Sequence, residues 1–155
     1  MKQNCLIDTT VILRIIFEKD KHLLNRLLSN FNLFIPVNVL GGAAFKITVE
    51  TLKENYGSEV FYKLKSIFER QELSETLTKR LHALNYLADL ANVLPVTAED
   101  YRLSKIFSLK YRLLSNDALI VAVAVRNGIS KLATFDSDFK RVGIIEVLDF
   151  THSKG

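Results

Sequence analysis

The sequence predicts an α/β protein of three layers, helices on both sides of a central parallel sheet. Three observations carry this. Apolar, β-favouring runs alternate with stretches of helical apolar spacing along the chain. The strands are separated by helices, so tight hairpins cannot join them, and parallel pairing through right-handed crossovers follows. The 155 residues, 48% of them hydrophobic, can bury one core without disulfide staples. No repeat, low-complexity tract or linker interrupts the pattern, so a single domain over 1–155 is expected.

The chain opens on a short strand, NCLI, ending at Asp8. Helical spacing follows as one run through Ile12, Ile15, Ile16, Leu23, Leu24, Leu27 and Leu28. LFIPV is extended up to Pro36, which would break a helix interior, so the next helix is placed from about Asn38. From Thr51 to Asn92, Leu, Lys, Glu and Ala recur at helical spacing, with soft breaks at Tyr56 to Ser58 and Glu72 to Ser74. VLPV is the third strand. TAEDYRLSKIFSLKYR is a helix with Thr97 as N-cap and Asp100 in the capping-box position. SNDALIVAVAVRNG is an apolar helix capped by Ser115 or Asn116 and stopped by Gly128, and KLATF and IIEVLDF are the last strands.

Lys and Arg outnumber Asp and Glu by 21 to 17, a mild excess compatible with a polyanionic partner. The pairs Lys79 with Arg80 and Lys140 with Arg141 are read as solvated surface. Cys5 is the only cysteine, which excludes an internal disulfide and marks a small buried hydrophobe. The start of the chain lacks a signal-peptide core, and no apolar run approaches the ~20 residues of a membrane helix, so a cytoplasmic protein is expected. His22, His82 and His152 have no zinc-like spacing and no Gly-rich phosphate loop follows a strand, which disfavours zinc, thiol and nucleotide-cofactor enzymes.

Ligands of an open parallel sheet bind outside the carboxyl ends of its strands. That rule selects Asp8 after the first strand, Asp136 after KLATF, and Asp117 in the first turn of a late helix. Singly, each has an ordinary role as a cap or turn residue, or at the positive end of a helix. Together they favour an oxygen-lined site for a hard divalent cation, Mg²⁺ or Mn²⁺, because clustered carboxylates repel one another until a cation relieves them. Such a cation can activate water against a phosphodiester. Thr10 is a candidate to orient a carboxylate, with a plain N-cap role equally open, and Asp138 is an auxiliary candidate ranked after the other three.

CLIDTTVIL, IPVNVLGGAAFKI, LLSNDALIVAVA and LATFDSDF together resemble the PIN-domain family, including VapC-like toxins of toxin-antitoxin pairs, over most of the chain. The resemblance implies a Mg²⁺- or Mn²⁺-dependent endoribonuclease in which Asp8, Asp117 and Asp136 are the catalytic and metal-binding carboxylates. RNA is the implied substrate, a cognate antitoxin the implied partner, and a homodimer the implied assembly. The family also carries a glutamate in its second helix. Here that position falls near Gly42, and glycine occupies both Gly41 and Gly42. Glycine costs roughly 1 kcal/mol relative to alanine in a helix interior, so the pair is no obvious structural gain. Glu50, displaced by ~12 Å along a helix, is too far away to substitute. Weakened metal binding and low activity are therefore expected, and the alternative is a non-catalytic RNA- or protein-binding module of the same fold. A phosphatase with Asp8 as nucleophile is disfavoured, because Thr10 stands where that chemistry needs a second aspartate.

Overall fold

The computed structural model describes residues 1–70 and 74–150. Its five strands are β1 (Gln3–Ile7), β2 (Phe31–Pro36), β3 (Asn92–Leu94), β4 (Lys131–Ala133) and β5 (Glu146–Leu148). They form one sheet in the order β3-β2-β1-β4-β5, with every neighbouring pair parallel. The helices are α1 (Thr9–Phe17), α2 (Lys21–Asn30), α3 (Val37–Tyr56), α4 (Val60–Arg70), α5 (Glu75–Leu90), α6 (Ala98–Tyr111) and α7 (Ser115–Arg126). A 3₁₀ turn, Ser137–Arg141, lies between β4 and β5.

Right-handed crossovers put α1 to α5 over one face and α6 and α7 over the other, which is the three-layer arrangement expected. Consistently, α1, α3 and α5 pack on one another and α6 packs on α7. The central strand is covered on both sides, and Cys5, Leu6 and Ile7 are fully buried in succession. Burial pushes the Cys5 thiol up to about 12, so it behaves as an inert apolar residue. Among the described residues no helix is long and apolar enough to cross a membrane.

The run after Asp8 is two helices rather than one. Lys19 adopts φ 51°, and Asp20 caps α2 by accepting from the Leu23 amide at 2.9 Å. Both helices turn apolar residues to the same core, Ile12 and Ile16 from α1, Leu23 and Leu27 from α2, so their spacing reads as continuous. Gly57, at φ 82°, ends α3 where the first soft break was placed. Of the second break, Glu72 and Leu73 lie outside the described residues, and Ser74 caps α5.

The cap of α7 also differs from expectation. Leu114 occupies that position without a side-chain bond, Ser115 is already helical, and the Asn116 carboxamide instead accepts from Asn38 at 2.9 Å. The Thr97–Asp100 capping box forms in both directions, and Asp100, fully buried, also receives Arg126 at 2.6 and 3.0 Å. Arg80 is not solvated surface. It bonds Thr51 at 2.8 Å and Glu54 at 3.0 Å and stacks on Phe17, tying α5 to α3 and α1. Lys79, Lys140, His22 and His82 are exposed as read, and His152 lies outside the described residues.

Candidate metal centre

The chain leaves β1 toward β2 on one side, while β4 leads to β5 on the other. Strand order therefore reverses between β1 and β4, and a crevice opens at their carboxyl ends. The Asp8 amide donates to the Ala133 carbonyl at 3.2 Å, which holds these two ends in register.

Asp8 is 3% exposed and accepts four hydrogen bonds, only one of them at Oδ2. Its Oδ1 accepts from the Thr10 amide at 3.0 Å, the Thr10 hydroxyl at 2.6 Å and the Val11 amide at 3.4 Å. Its Oδ2 accepts from the Thr134 hydroxyl at 2.6 Å. Asp8 thus caps α1, and Thr10 orients it rather than capping the helix. The two hydroxyls are fixed in turn: Thr10 Oγ1 accepts from the Phe135 amide and Thr134 Oγ1 from the Asp136 amide, both at 2.9 Å. Burial raises the Asp8 pKa above the ordinary carboxylate value, and these hydrogen bonds oppose the rise.

Carboxylate oxygens of Asp117, Asp136 and Asp138 lie within 4.8 Å of one another. Asp117 projects from the first turn of α7, and Asp136 caps the 3₁₀ turn by accepting from the Asp138 amide at 2.9 Å. That turn brings Asp138 back beside Asp136, where Arg141 Nη1 meets it at 3.1 Å. Partial burial, then the charges of Asp136, Asp8 and Asp138, push Asp117 up to about 6, with Lys46 acting in the opposite sense. Of the three acids selected from sequence, Asp117 and Asp136 meet closely. Asp8 stands beside the group, near enough for its charge to bear on Asp117, and Asp138 completes the close cluster.

The sequence model of the PIN domain family matches residues 5–145. The chain belongs to the PIN domain family. It is 35% identical over 153 residues to Ribonuclease VapC6 of Methanocaldococcus jannaschii, covering 94% of this chain and 96% of that protein. Among solved structures it superposes on DNA-bound VapBC from Salmonella typhimurium with TM-score 0.68 and 15% identity, covering 95% of this chain and 98% of that one. The sarcin-ricin-loop-cleaving toxin VapC20 of Mycobacterium tuberculosis gives TM-score 0.60 and 19% identity, covering 93% and 98%. At those identities the structural likeness establishes the fold.

Gly42, near which the resemblance to the family expects a glutamate, looks toward the start of α1. A Cβ on Gly42 would meet only the Thr9 hydroxyl, at 3.9 Å, and Thr9 directly follows Asp8. Glu50 lies elsewhere, exposed on α3 and paired with Lys53 at 3.2 Å. Thr134 was not read from the sequence. A threonine ending a strand carries no signature, although its place directly after β4 puts it at the same edge as Asp8.

Thr134→Val keeps the shape but leaves Asp8 Oδ2 without its protein donor. The variant is expected to lose about 1–2 kcal/mol in urea unfolding at neutral pH. An unchanged midpoint and slope would show that the Thr134 hydroxyl is immaterial to Asp8.

Proposed function

We propose that this PIN domain is a metal-dependent endoribonuclease of the VapC toxin type, hydrolysing RNA phosphodiester bonds at the carboxylate group on the sheet edge. The observation that carries the reading is the meeting of Asp117, Asp136 and Asp138 within 4.8 Å beside the immobilised Asp8. The donor set fits a hard divalent cation. It is all oxygen and its members repel one another, and the Asp117 pKa is raised by burial first and then by that repulsion. Asp8, Asp117 and Asp136 are the proposed catalytic and metal-binding residues, with Asp138 auxiliary and Thr10 orienting Asp8. Mg²⁺ or Mn²⁺ is the proposed ion. When bound, it supplies Lewis acidity at the scissile phosphate and lowers the pKa of a coordinated water.

The chain's own part is positional. Four donors prevent Asp8 from rotating. The Thr134 hydroxyl couples it to the Asp136 backbone, and α7 delivers Asp117 from a buried, small-residue helix in which Ala118, Ala122 and Ala124 are inaccessible.

The similar structures, a toxin-antitoxin complex and an RNA-cleaving toxin among them, extend the reading to a toxin held by an antitoxin, for which a cytoplasmic location is proposed. A groove of about 270 Å³ between α1, α2 and α5 suits such a partner. Ile15, Ile16, Leu24 and Leu87 line it, and Lys19 and Lys21 stand at its rim, complementary to an acidic amphipathic helix, while Lys79 and Arg80 beside them are paired with Glu75 and Glu54. A homodimer is the proposed assembly of the toxin.

The second reading, a PIN module that binds RNA or protein without cutting, is favoured by one observation, the absence of a carboxylate at Gly42. The test incubates a fluorescent single-stranded RNA with protein and Mn²⁺. Weak cleavage that EDTA abolishes and Asp8→Asn removes supports the nuclease. Cleavage that survives both controls comes from another protein, and the reading then loses its support.

A further inference from the structure

We infer that Lys46 is a substrate-positioning residue of this site, an ammonium that holds an RNA backbone phosphate across the gap left open at Gly42. The inference rests on the nuclease reading and adds a residue that the carboxylate motifs do not include. Lys46 follows Gly42 by four residues on α3, so the two share a helix face. The Gly42 end of that face looks toward Thr9, beside Asp8. Helical side chains lean toward the N-terminus of their helix, which sends the long Lys46 stem back over residue 42, toward the acids. No side chain at 42 stands in its way.

Lys46 is exposed and makes no hydrogen bond or salt bridge among the described residues, unlike Lys53 about two turns further on, which is paired with Glu50. Its charge lowers the Asp117 pKa, in keeping with the crevice-side position that the face shared with Gly42 gives it.

Glycine at 42 matters to this role. A glutamate there would sit four residues N-terminal to Lys46, the favourable spacing for a helical ion pair, and would draw the ammonium away from RNA. Without it, Lys46 is available as a compact point charge for a phosphate oxygen.

The test is metal-free RNA binding, read by fluorescence anisotropy of a labelled single-stranded oligonucleotide in EDTA at low salt. Lys46→Ala is expected to weaken binding roughly three- to tenfold. It should also reduce the log–log salt slope by ~0.7, the loss of one phosphate contact. Lys46→Arg should retain binding, whereas Lys65→Ala, an exposed lysine on α4, should leave it unchanged. Gly42→Glu should weaken metal-free binding more than Gly42→Gln, because only the charged residue captures the lysine.

Equal binding by the parent and Lys46→Ala, equal losses from Lys46→Ala and Lys65→Ala, or no binding by the parent in EDTA would each overturn the role given to Lys46. None of these outcomes bears on the nuclease reading, which is decided separately by Mn²⁺-dependent cleavage in the parent and Gly42→Glu chains.

Discussion

Gly42→Glu is expected to raise Mn²⁺-dependent cleavage of single-stranded RNA by roughly 10- to 100-fold, the range over which residues supporting a metal site change its affinity or activity. The structure offers no steric objection. The nearest atom to a new Cβ is the Thr9 hydroxyl at 3.9 Å, ordinary contact, and the helix is regular across the glycine pair. Replacing a helical glycine with glutamate also favours α3 by roughly 0.5–1 kcal/mol, so a failure to fold is not expected. The gain must disappear with EDTA and in an Asp8→Asn background. A Gly42→Glu chain that binds Mn²⁺ normally yet leaves RNA intact would set the nuclease aside in favour of the binding module. Calorimetric titration with Mn²⁺ should be run on the same samples, because restored metal affinity without cleavage and the absence of both have different meanings.

Much of this site was legible because one rule, ligands at the carboxyl ends of parallel strands, selects few acids in so apolar a sequence. Asp8 and Asp136 sit where a strand pattern stops, and Asp117 where a helix pattern starts. Their relations were not legible. Asp138 joins the close cluster through the 3₁₀ turn at Ser137–Arg141, and a turn of five residues leaves no trace in apolar periodicity. Asp8 caps α1 through the Thr10 and Val11 amides and is held by the Thr10 and Thr134 hydroxyls, and Thr134 directly follows a strand, 126 residues from Asp8.

The helical break at Lys19 was hidden for a different reason. Periodicity reports which residues face the core, and α1 and α2 face the same one, so only the local chemistry of Asp20 marked the boundary. Arg80 was misread because a basic pair on a helix looks solvated until a third helix supplies Thr51 and Glu54.

The second large effect concerns Asp117, where function and stability oppose each other. Asp117→Asn is expected to abolish Mn²⁺ binding and yet to stabilise the metal-free protein at neutral pH. The Asp117 carboxyl has its pKa raised from 3.8 to about 6 in the folded chain, by burial first and then by Asp136, Asp8 and Asp138. Between those values the native state holds a proton that the unfolded state has released, so metal-free stability falls as pH rises through that window. A shift of that size corresponds to at most about 3 kcal/mol, and solvent screening at a partly exposed group reduces it. Loss of the carboxylate at the positive end of α7 subtracts a further ~0.3–1 kcal/mol. A net gain of about 1 kcal/mol remains, worth roughly 2–4 °C in Tm for a chain of this size. The advantage should vanish near pH 4, where the parent is also neutral at this position. Adding Mn²⁺ at neutral pH should reverse the order, raising the parent's Tm and leaving the variant's where it was. A variant less stable than the metal-free parent at neutral pH would mean that burial and the neighbouring carboxylates together do not disfavour the Asp117 charge, and the picture of an acidic group awaiting a cation would lose this support.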